Sequence, residues 1–408
     1  MKNLGLGVSR RLTIQHITEK PLNVERELTF VRVLFLIRIL DSGGVTTHMM
    51  TLGQGLLARG VQVAVASGGR VGIHTHGPEW FSSHGIQHYQ VPFPDQRISL
   101  RNVRNAIASL RAIRRVVADF RPDIVHVHFR STSPYAQYIH YSYGIPFVST
   151  LHLEGIPSGP LYRLGSFWGS TAIAISSETK EYLIKSFGVS SDRVRVIHNG
   201  VDETYFRPPT ASERRNARAM LGVGLNSPVI SLIGRLEPVK GHDVLIRALR
   251  GLRTMGVKAI AVMAGEGSRR QELEKLATDA GVGDQVRFPG YIDSRTVLWA
   301  SDALALPSRK EGFALVVVEA MMCGVIPIRT PAAGAADQIK DGMNGFIIPF
   351  EDHKALADVF LRLIRDENLR RNVSAAASES ARRNFSQRKM VEETLKVYNE
   401  VLLVHRGS

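Results

Sequence analysis

Short apolar segments rich in β-branched residues alternate along this chain with longer segments in which apolar side chains recur at helical spacing. A first series of apolar segments lies at residues 31–37, 61–66, 124–128, 146–150, 171–175 and 194–197. A second series lies at residues 229–233, 259–264, 286–288, 303–306 and 325–328. Buried strands that alternate with amphipathic helices are typical of parallel sheets with helices on both faces. The pattern therefore predicts an α/β fold.

The two series are separated by a polar, proline-containing stretch at residues 201–216. A chain of 408 residues exceeds the usual size of one hydrophobic core, so two consecutive domains are expected. We place them at 29–205 and 206–385, after an N-terminal extension at 1–28. Apolar residues at near-heptad spacing predict a final helix within 386–408. This helix either completes the second domain or crosses back to the first.

Composition is that of an ordinary folded protein, with 44% hydrophobic and 22% charged residues. No apolar run approaches the roughly 20 residues that a membrane-spanning helix needs, and the polar N-terminus contains no segment of signal-peptide type. The single cysteine, Cys323, excludes an intramolecular disulfide and a multi-cysteine metal site. These features predict a cytoplasmic protein in which Cys323 is a buried structural thiol.

The net charge of +15 favours an anionic partner, which can be nucleic acid, an anionic membrane surface or a phosphorylated ligand. The charge is spread along the chain without a nucleic-acid-binding tail, so no nucleic-acid partner is expected. Residues 101–121 predict a basic amphipathic helix whose apolar side carries Val103, Ile107, Leu110, Val117 and Phe120. Such a helix lies on anionic lipid, as a peripheral protein does, or packs on a sheet with a solvated basic face. Both interpretations stay open.

The loop after residues 229–233 carries two cations within reach of each other. It begins at Gly234 and contains Arg235 and Lys240 before Gly241. A diphosphate requires two cations that can bind it together, and a guanidinium supplies a planar fork where an ammonium supplies a point charge. The spacing indicates a diphosphate site, and a solvated turn with two unrelated cations is the alternative.

Two glutamates follow the apolar segment at 303–306. Glu311 precedes Gly312, and a helix that starts just after this glycine would direct its backbone N–H groups at an anion. Glu319 would then lie about two turns into an apolar helix, where it needs a polar partner such as a sugar hydroxyl. A structural salt bridge is the alternative for Glu319.

Together these segments resemble the family 4 retaining glycosyltransferases, whose GT-B architecture places two Rossmann-like, doubly wound domains face to face across a cleft. The resemblance covers nearly all of the chain after residue 30 and depends on blocks that occur in the family's order. In the first domain these blocks are residues 41–45, 122–128, 150–152, 174–178 and 196–202. In the second they are residues 234–241, 264–267, 288–291, 307–308, the pair Glu311 and Glu319, and 344–346.

The resemblance implies a role for each matching position. Arg235 and Lys240 would bind the donor diphosphate and stabilise the charge that builds on the leaving nucleotide. Glu319 would hold the ribose hydroxyls, and Glu311 would contact the hydroxyls of the transferred sugar. His152 would lie beside the anomeric carbon.

The other donor contacts implied by the resemblance come from close backbone approaches and from the loop that faces the base. Gly43 and Gly44 would let the first loop approach the phosphates. The implied donor-binding set also contains Gly234, Phe313, Ala314, Leu315, Tyr291 and Ile292.

The resemblance further implies transfer of a sugar, with retention, from a nucleotide-diphosphate sugar to a hydroxyl of a glycan, lipid-linked or small-molecule acceptor. A UDP-sugar is the favoured donor and GDP-mannose the second. The family is thought to use same-face displacement, so no residue is assigned as a nucleophile. Arg235 and Lys240 act where other transferases use a metal, so no metal or other cofactor is expected. The segment at 70–96 matches nothing specific and is assigned to the acceptor side, and Asp337 stands where the family often has glutamate.

Two other functions fit parts of the sequence. One is a nucleotide-sugar epimerase or hydrolase of the same fold, and the other is a basic module that binds nucleic acid or a membrane surface. His126 and His128 alternate along a predicted strand, as metal ligands do. The sequence places no third ligand beside them, so we interpret them as hydrogen-bonded side chains at a strand end.

Overall fold

The computed structural model of the protein describes residues 31–41, 43–71, 76–95, 99–152 and 156–407. The extension predicted at 1–28 lies outside these residues, as do Ser42 of the first glycine turn and parts of the segment at 70–96. Within the described residues, the strands form one sheet of seven and one sheet of six.

The first sheet and its helices are built from β1 (Arg32–Ile37), α1 (Gly44–Leu57), β2 (Gln62–Ser67), α2 (Pro78–Ser83), β3 (Gln87–Gln90), α3 (Leu100–Phe120), β4 (Ile124–Val127), α4 (Ser133–Tyr143), β5 (Phe147–Leu151), α5 (Pro160–Leu164), β6 (Thr171–Ala174), α6 (Ser177–Phe187) and β7 (Val194–Val196).

The second sheet and its helices are built from α7 (Ala211–Met220), β8 (Val229–Ile233), α8 (His242–Thr254), β9 (Ile260–Ala264), α9 (Arg270–Asp279), β10 (Val286–Gly290), α10 (Ser294–Ala300), β11 (Ala303–Leu306), α11 (Leu315–Met322), β12 (Ile326–Arg329), α12 (Ala335–Gln338), β13 (Phe346–Ile347), α13 (His353–Arg365) and α14 (Glu367–Asn384), and α15 (Gln387–Gly407) ends the chain.

Both sheets have the same winding. The strand orders are β3-β2-β1-β4-β5-β6-β7 and β10-β9-β8-β11-β12-β13, and neighbouring strands pair in parallel. The order reverses between β1 and β4 in the first sheet and between β8 and β11 in the second. Loops at the carboxyl ends of the strands open a crevice at such a reversal, where doubly wound proteins bind ligands. The predicted α/β fold with two Rossmann-like sheets is confirmed.

Strand β1 shows why the apolar segments are nearly continuous. Val33 and Phe35 pack into a core with α1 and α15 on one face, whereas Leu34 and Leu36 pack with α3 and α4 on the other. Side chains of a strand alternate between the two faces, and each face of this sheet is covered by helices. Every position from Val33 to Ile37 is therefore apolar, and only Arg32, which is partly exposed at the start of the strand, is polar.

Two short strands were not predicted. β3 has the sequence Gln-His-Tyr-Gln and lies at the edge of the first sheet, paired with β2. β13 has only two residues and pairs with β12 at the edge of the second. β3 is too polar, and β13 too short, for an apolar pattern to mark either as a strand in the sequence.

Helix α3 packs on its sheet with only its C-terminal half. Ile113, Val117 and Phe120 are buried there, whereas Val103 is 57% and Ile107 is 49% exposed. Of the two interpretations left open for this helix, packing on the sheet therefore applies to its C-terminal half alone. A helix of 21 residues is about 31 Å long, longer than the strands beneath it, so its N-terminal half extends past the sheet edge.

The C-terminal helix α15 crosses back and packs on the first sheet. Met390, Val391 and Tyr398 belong to the same core as β1 and α1. A Cβ built on Gly55 of α1 would lie 2.4 Å from the Val391 Cγ2 atom, so only glycine permits this close packing. The chain leaves the second sheet beside residue 201, where Val201 and Ser386 form a parallel bridge.

Inside this interface the buried Tyr398 hydroxyl hydrogen-bonds to Nδ1 of His126 at 2.6 Å. The other ring nitrogen of His126 is 2.7 Å from the Thr150 hydroxyl. Tyr398→Phe leaves Nδ1 buried without its partner, and we expect a loss of about 1–3 kcal/mol, seen as a melting temperature lowered by several degrees. Tyr141→Phe is the matched control because Tyr141 is 81% exposed. Equal melting temperatures for the two variants would contradict the role of this bond.

Candidate functional site

Loops at the carboxyl ends of the two sheets touch each other across one cleft. A Cβ built on Gly312, which follows β11, would lie 2.8 Å from the carbonyl oxygen of His152, which follows β5. A Cβ built on Gly44, at the start of α1, would lie 3.8 Å from Cδ1 of Leu315. Gly312 thus permits a close approach between the two halves, whereas the Gly44 contact has ordinary van der Waals length, and predicted site residues of both halves lie at this cleft.

The loop after β8 is held against the loop after β11 by a glycine. Gly241 has a φ of +73°, and a Cβ built on it would lie 2.3 Å from the Pro307 carbonyl oxygen. A side chain is excluded at this position both by the backbone conformation and by the contact. Lys240 directly precedes Gly241, and its aliphatic carbons lie 3.6 Å from the Cβ position of Gly234. The loop is thus fixed at both ends of the segment that carries the predicted cations.

Lys240 forms an ion pair with Glu311 across the crevice between β8 and β11. The Lys240 Nζ atom is 2.7 Å from Oε1 of Glu311, and the two side chains are 21% and 10% exposed. A pair with little exposure is screened less by water and salt than a surface pair. Both residues were predicted from the sequence as site residues, but this contact was not, because the two residues are 71 positions apart in the chain.

Arg235 differs from Lys240 in that it is exposed and makes no ion pair with any residue that the structure describes. It lies one position after Gly234 at the end of β8. An exposed guanidinium beside a paired ammonium gives this edge of the cleft an excess of positive charge. The two cations predicted to act together are therefore on one loop, and one of them is already engaged by a carboxylate.

The segment from Gly312 to Leu315 is buried between the sheets. Phe313, Ala314 and Leu315 are each less than a tenth exposed, and α11 begins at Leu315 rather than directly after Gly312. Gly334 packs on this segment with a φ of +76°, and a Cβ there would lie 2.6 Å from the Gly312 carbonyl oxygen. The segment is thereby fixed from both sides.

Glu319 lies in α11 beside the loop that follows β10. Its carboxylate interacts with the Ser294 hydroxyl, and burial raises the pKa of Glu319 to about 7, with a contribution from nearby Asp293. The salt bridge considered for Glu319 is not formed with any described residue. Tyr291 in the same loop is 54% exposed and Ile292 is partly buried. The carboxyl group of Glu319 accepts hydrogen bonds better when it is ionised than when it is protonated.

Arg329 is a buried cation that the sequence did not reveal, because it ends the apolar strand β12. Its side chain is fully buried and donates to the carbonyl oxygens of Ala332 at 2.9 Å and Ala333 at 3.1 Å, and to the Gln338 side chain. Burial lowers the pKa of Arg329 to about 10, opposed by nearby Glu311 and Glu178. Arg329 thus holds the loop that carries Gly334 in place.

Asp337 joins the two halves of the molecule. Its carboxylate accepts hydrogen bonds from the backbone N–H of Ser177 at 2.7 Å and from the Ser177 hydroxyl at 2.8 Å. Ser177 is the first residue of α6, where a carboxylate also interacts favourably with the helix dipole. The segment at 332–337 departed from the family's pattern in sequence, and the fold uses its aspartate as a contact between the sheets.

Three histidines meet at the carboxyl edge of the first sheet. The nearest ring nitrogens of His48, His128 and His152 all lie within 4.8 Å of one another, and Nδ1 of His128 is 3.4 Å from Nε2 of His152. The prediction that no further histidine lies beside His126 and His128 was wrong. Because these residues come from α1, β4 and β5, only the fold brings them together.

Burial is the largest influence on each of these rings. It lowers the pKa of His48 to about 4 and the pKa values of His128 and His152 well below their usual range, and the neighbouring rings lower the latter two further. The imidazoles are therefore neutral at pH 7. A neutral His152 can donate or accept one hydrogen bond in the cleft without placing a positive charge there.

Two family models match this chain. Residues 213–380 match the model described as "Glycosyl transferases group 1", and residues 42–205 match "Glycosyltransferase Family 4". The first match contains Arg235, Lys240, Glu311 and Glu319. The second ends where the chain passes to the other sheet.

Relatives and solved structures agree with these matches. The chain is 28% identical to a D-inositol 3-phosphate glycosyltransferase of Xylanimonas cellulosilytica over 84% of its own length and 88% of that protein. It is also 28% identical to the enzyme of the same name in Thermomonospora curvata, over 88% and 90% of the two chains. Its fold is similar to that of Anabaena Alr3699/HepE in complex with UDP, with a TM-score of 0.78 and 22% identity over 91% of this chain and all of the other.

Proposed function

We propose that this chain, which belongs to the family 4 glycosyltransferases of the GT-B fold and transfers sugar from a nucleotide sugar, uses a UDP-sugar as donor, with GDP-mannose second. The observation that carries the proposal is the paired Lys240 beside Arg235, which has no ion pair with a described residue, at the strand-order reversal of the second sheet. Solved structures of the same fold contain UDP and UDP-glucose, which supports the choice of nucleotide. The acceptor is a hydroxyl of a glycan, lipid-linked or small-molecule compound.

On the donor side, Arg235 and Lys240 bind the diphosphate and stabilise the negative charge that develops on it as the bond to the sugar breaks. Preorganised cations in a cleft with little water are effective at this step because they need not reorient. The buried segment from Phe313 to Leu315 lies beside them and supplies close backbone contacts to phosphate and sugar. Close approach at Gly43, Gly44 and Gly234 allows the phosphates to enter.

We propose that the sugar is transferred with retention and without a nucleophilic residue. For Glu311, the ion pair with Lys240 supports the view that the residue is not a nucleophile, since a carboxylate engaged at 2.7 Å is a poor nucleophile. The acceptor oxygen forms the new bond to the anomeric carbon as the bond to the diphosphate breaks on the same face, and the departing phosphate oxygen takes the acceptor proton. Because Arg235 and Lys240 act on the leaving group where other transferases use a metal, we expect no metal or cofactor.

Lys240→Ala tests the donor-side assignment. It removes one of two cations at the leaving group, and we expect kcat to fall by roughly 10²–10³-fold, measured as release of UDP from a UDP-sugar in the presence of acceptor. Lys258→Ala is the matched control because Lys258 precedes β9, at the opposite edge of the sheet, and is 70% exposed.

Lys240→Ala also leaves the Glu311 carboxylate unpaired, which by itself would repel a diphosphate. The double variant Lys240→Ala/Glu311→Gln removes that repulsion. We expect it to stay as inactive as Lys240→Ala. Recovery of activity in the double variant would mean that Lys240 only neutralises Glu311 and does not act on the donor.

Glu319 is assigned to the ribose hydroxyls, and its pKa of about 7 makes donor affinity depend on pH. Below that pH the carboxyl group is protonated and accepts hydrogen bonds poorly, so affinity should fall up to tenfold per pH unit as pH drops from 7 to 5.5 and level off above 8. Isothermal titration with UDP-glucose measures this, since its diphosphate does not titrate in this range. Glu319→Gln should bind more weakly and with no pH dependence near 7, and Glu272→Gln, at an exposed position, should behave as the native chain does. A pH profile that is unchanged in Glu319→Gln would contradict the assignment.

We propose further that the N-terminal half of α3 rests on an anionic membrane surface. Leu100, Val103 and Ile107 are 83%, 57% and 49% exposed, and Arg101 and Arg104 are exposed beside them. Helices between parallel strands run opposite to the strands, so this half of α3 lies at the carboxyl edge, near the cleft. No helix among the residues that the structure places has both the length and the hydropathy to cross a bilayer. We therefore propose a peripheral contact with the membrane, on the side of the membrane where nucleotide sugars are available.

Sedimentation with vesicles tests the membrane proposal. The chain should bind vesicles rich in phosphatidylglycerol more strongly than phosphatidylcholine vesicles, and less as salt is raised. Val103→Ser/Ile107→Ser should weaken binding roughly tenfold or more, since it removes apolar area that enters the interface, without lowering the melting temperature. Met220→Ser/Met343→Ser is the control because both methionines are exposed elsewhere. Equal binding by the two double variants would refute the assignment.

A further inference from the structure

Two arginines occupy the strand-order reversal of the first sheet, on the other side of the cleft from the donor loops. Arg38 directly follows β1, and Arg130 lies three residues after the end of β4. The strands β1 and β4 are neighbours, and Leu36 pairs with Val127. Both side chains are half-buried. This edge corresponds to the crevice in which doubly wound sheets bind ligands.

Arg38 has donors that the described residues do not use. Its Nε atom is buried without a hydrogen-bond partner there, and its guanidinium forms no ion pair with a described carboxylate. The guanidinium lies 5.3 Å from the centre of the Phe129 ring, a distance at which a cation–π contact restrains its position. By contrast, Arg70, which follows β2 on the next strand, is paired with Glu79 at 3.1 Å. Arg38 is thus oriented but not neutralised.

Arg130 is held in a similar way. One of its nitrogens donates to the Ser166 hydroxyl at 3.1 Å, and its guanidinium lies 5.2 Å from the centre of the Tyr162 ring. No carboxylate that the structure describes forms an ion pair with it. The next residue, Ser131, has a buried hydroxyl with no partner among the described residues. Three residues from the ends of two adjacent strands therefore keep unused donors at one edge.

Buried donors without partners destabilise a site when no ligand binds them, and two guanidinium groups match the oxygens of a phosphate better than they match a neutral group. We propose that Arg38, Arg130 and Ser131 form a subsite for a phosphate group on the acceptor. The N-terminus of α4, which begins at Ser133, adds favourable partial charge at the same edge. This inference rests on the proposed function, since it assigns the acceptor side of the same cleft.

The subsite fits a phosphate ester from either of two sources. A soluble polyol phosphate would enter the cleft from solution, and the phosphate of a lipid headgroup would enter from the membrane beside α3. In both cases Arg38 and Arg130 position the acceptor and take no part in the transfer itself. Donor affinity should therefore not depend on them.

The experiment titrates sn-glycerol 3-phosphate into the full chain saturated with UDP and follows broadening of its 31P signal. Saturation with UDP keeps the ligand away from the donor cations Arg235 and Lys240. We expect binding by the native chain, affinity at least tenfold lower in Arg38→Gln and in Arg130→Gln, and a smaller loss in Arg38→Lys, which keeps the charge but not the fork. Arg59→Gln is the control, because Arg59 lies at the opposite edge in an exposed pair with Glu392.

The affinity for UDP, measured in the same variants, distinguishes a failure of the proposed function from a failure of the proposed phosphate subsite. If UDP does not bind the native chain, the proposed function fails. If UDP binds but glycerol phosphate does not, or if it binds Arg38→Gln/Arg130→Gln as well as the native chain, the subsite is refuted. A fall in UDP affinity in these variants would also refute it, since it would place both arginines on the donor. Vesicles of phosphatidylglycerol, tested with the same variants, distinguish the sources, since only a lipid headgroup makes vesicle binding depend on Arg38 and Arg130.

Discussion

The ion pair between Lys240 and Glu311 is the interaction on which the donor side of this cleft depends. It joins the loops that follow β8 and β11, the two strands between which the order of the second sheet reverses. A lone ammonium or carboxylate with so little exposure would be costly, and each makes the other tolerable. A diphosphate that binds here meets an ammonium group, Lys240, that is already paired with a carboxylate, so the attraction between Lys240 and the ligand is reduced. A second cation, Arg235, which pairs with no carboxylate of the described residues, supplies the attraction that Lys240 lacks.

Close contacts at glycines connect the loops that carry this ion pair to the loops of the other sheet. Gly241 brings the loop after β8 against Pro307, Gly334 packs on Gly312, and Gly312 reaches the backbone of His152 in the other half of the molecule. Asp337 and α15 complete the connection, one by hydrogen bonds to Ser177 and the other by packing against α1. Arg235 and Lys240 follow a strand at the order reversal of one sheet, and Arg38 and Arg130 follow strands at the order reversal of the other.

The central strands were predictable because their burial leaves a direct signature. The predicted segments 229–233 and 303–306 coincide with β8 and β11, since strands covered on both faces are mostly apolar. The edge strand β3 escaped prediction because packing there is one-sided, and the sequence left the packing of the predicted helix α3 open. Candidate donor residues such as Glu319 were found through resemblance in motif order. The cluster of His48, His128 and His152, the buried Arg329 and the pairing of Lys240 with Glu311 were not, because contacts between distant segments have no local pattern.

The most direct test compares the affinities of UDP and UMP for the native chain by isothermal titration at pH 8, where Glu319 is ionised. Both ligands share the base and ribose, so their difference reports the β-phosphate and the cations assigned to it. Charge-assisted hydrogen bonds contribute about 1.5–3 kcal/mol each, and UDP should therefore bind at least tenfold more tightly than UMP. Equal affinities would contradict the assignment of Arg235 and Lys240 to the donor diphosphate.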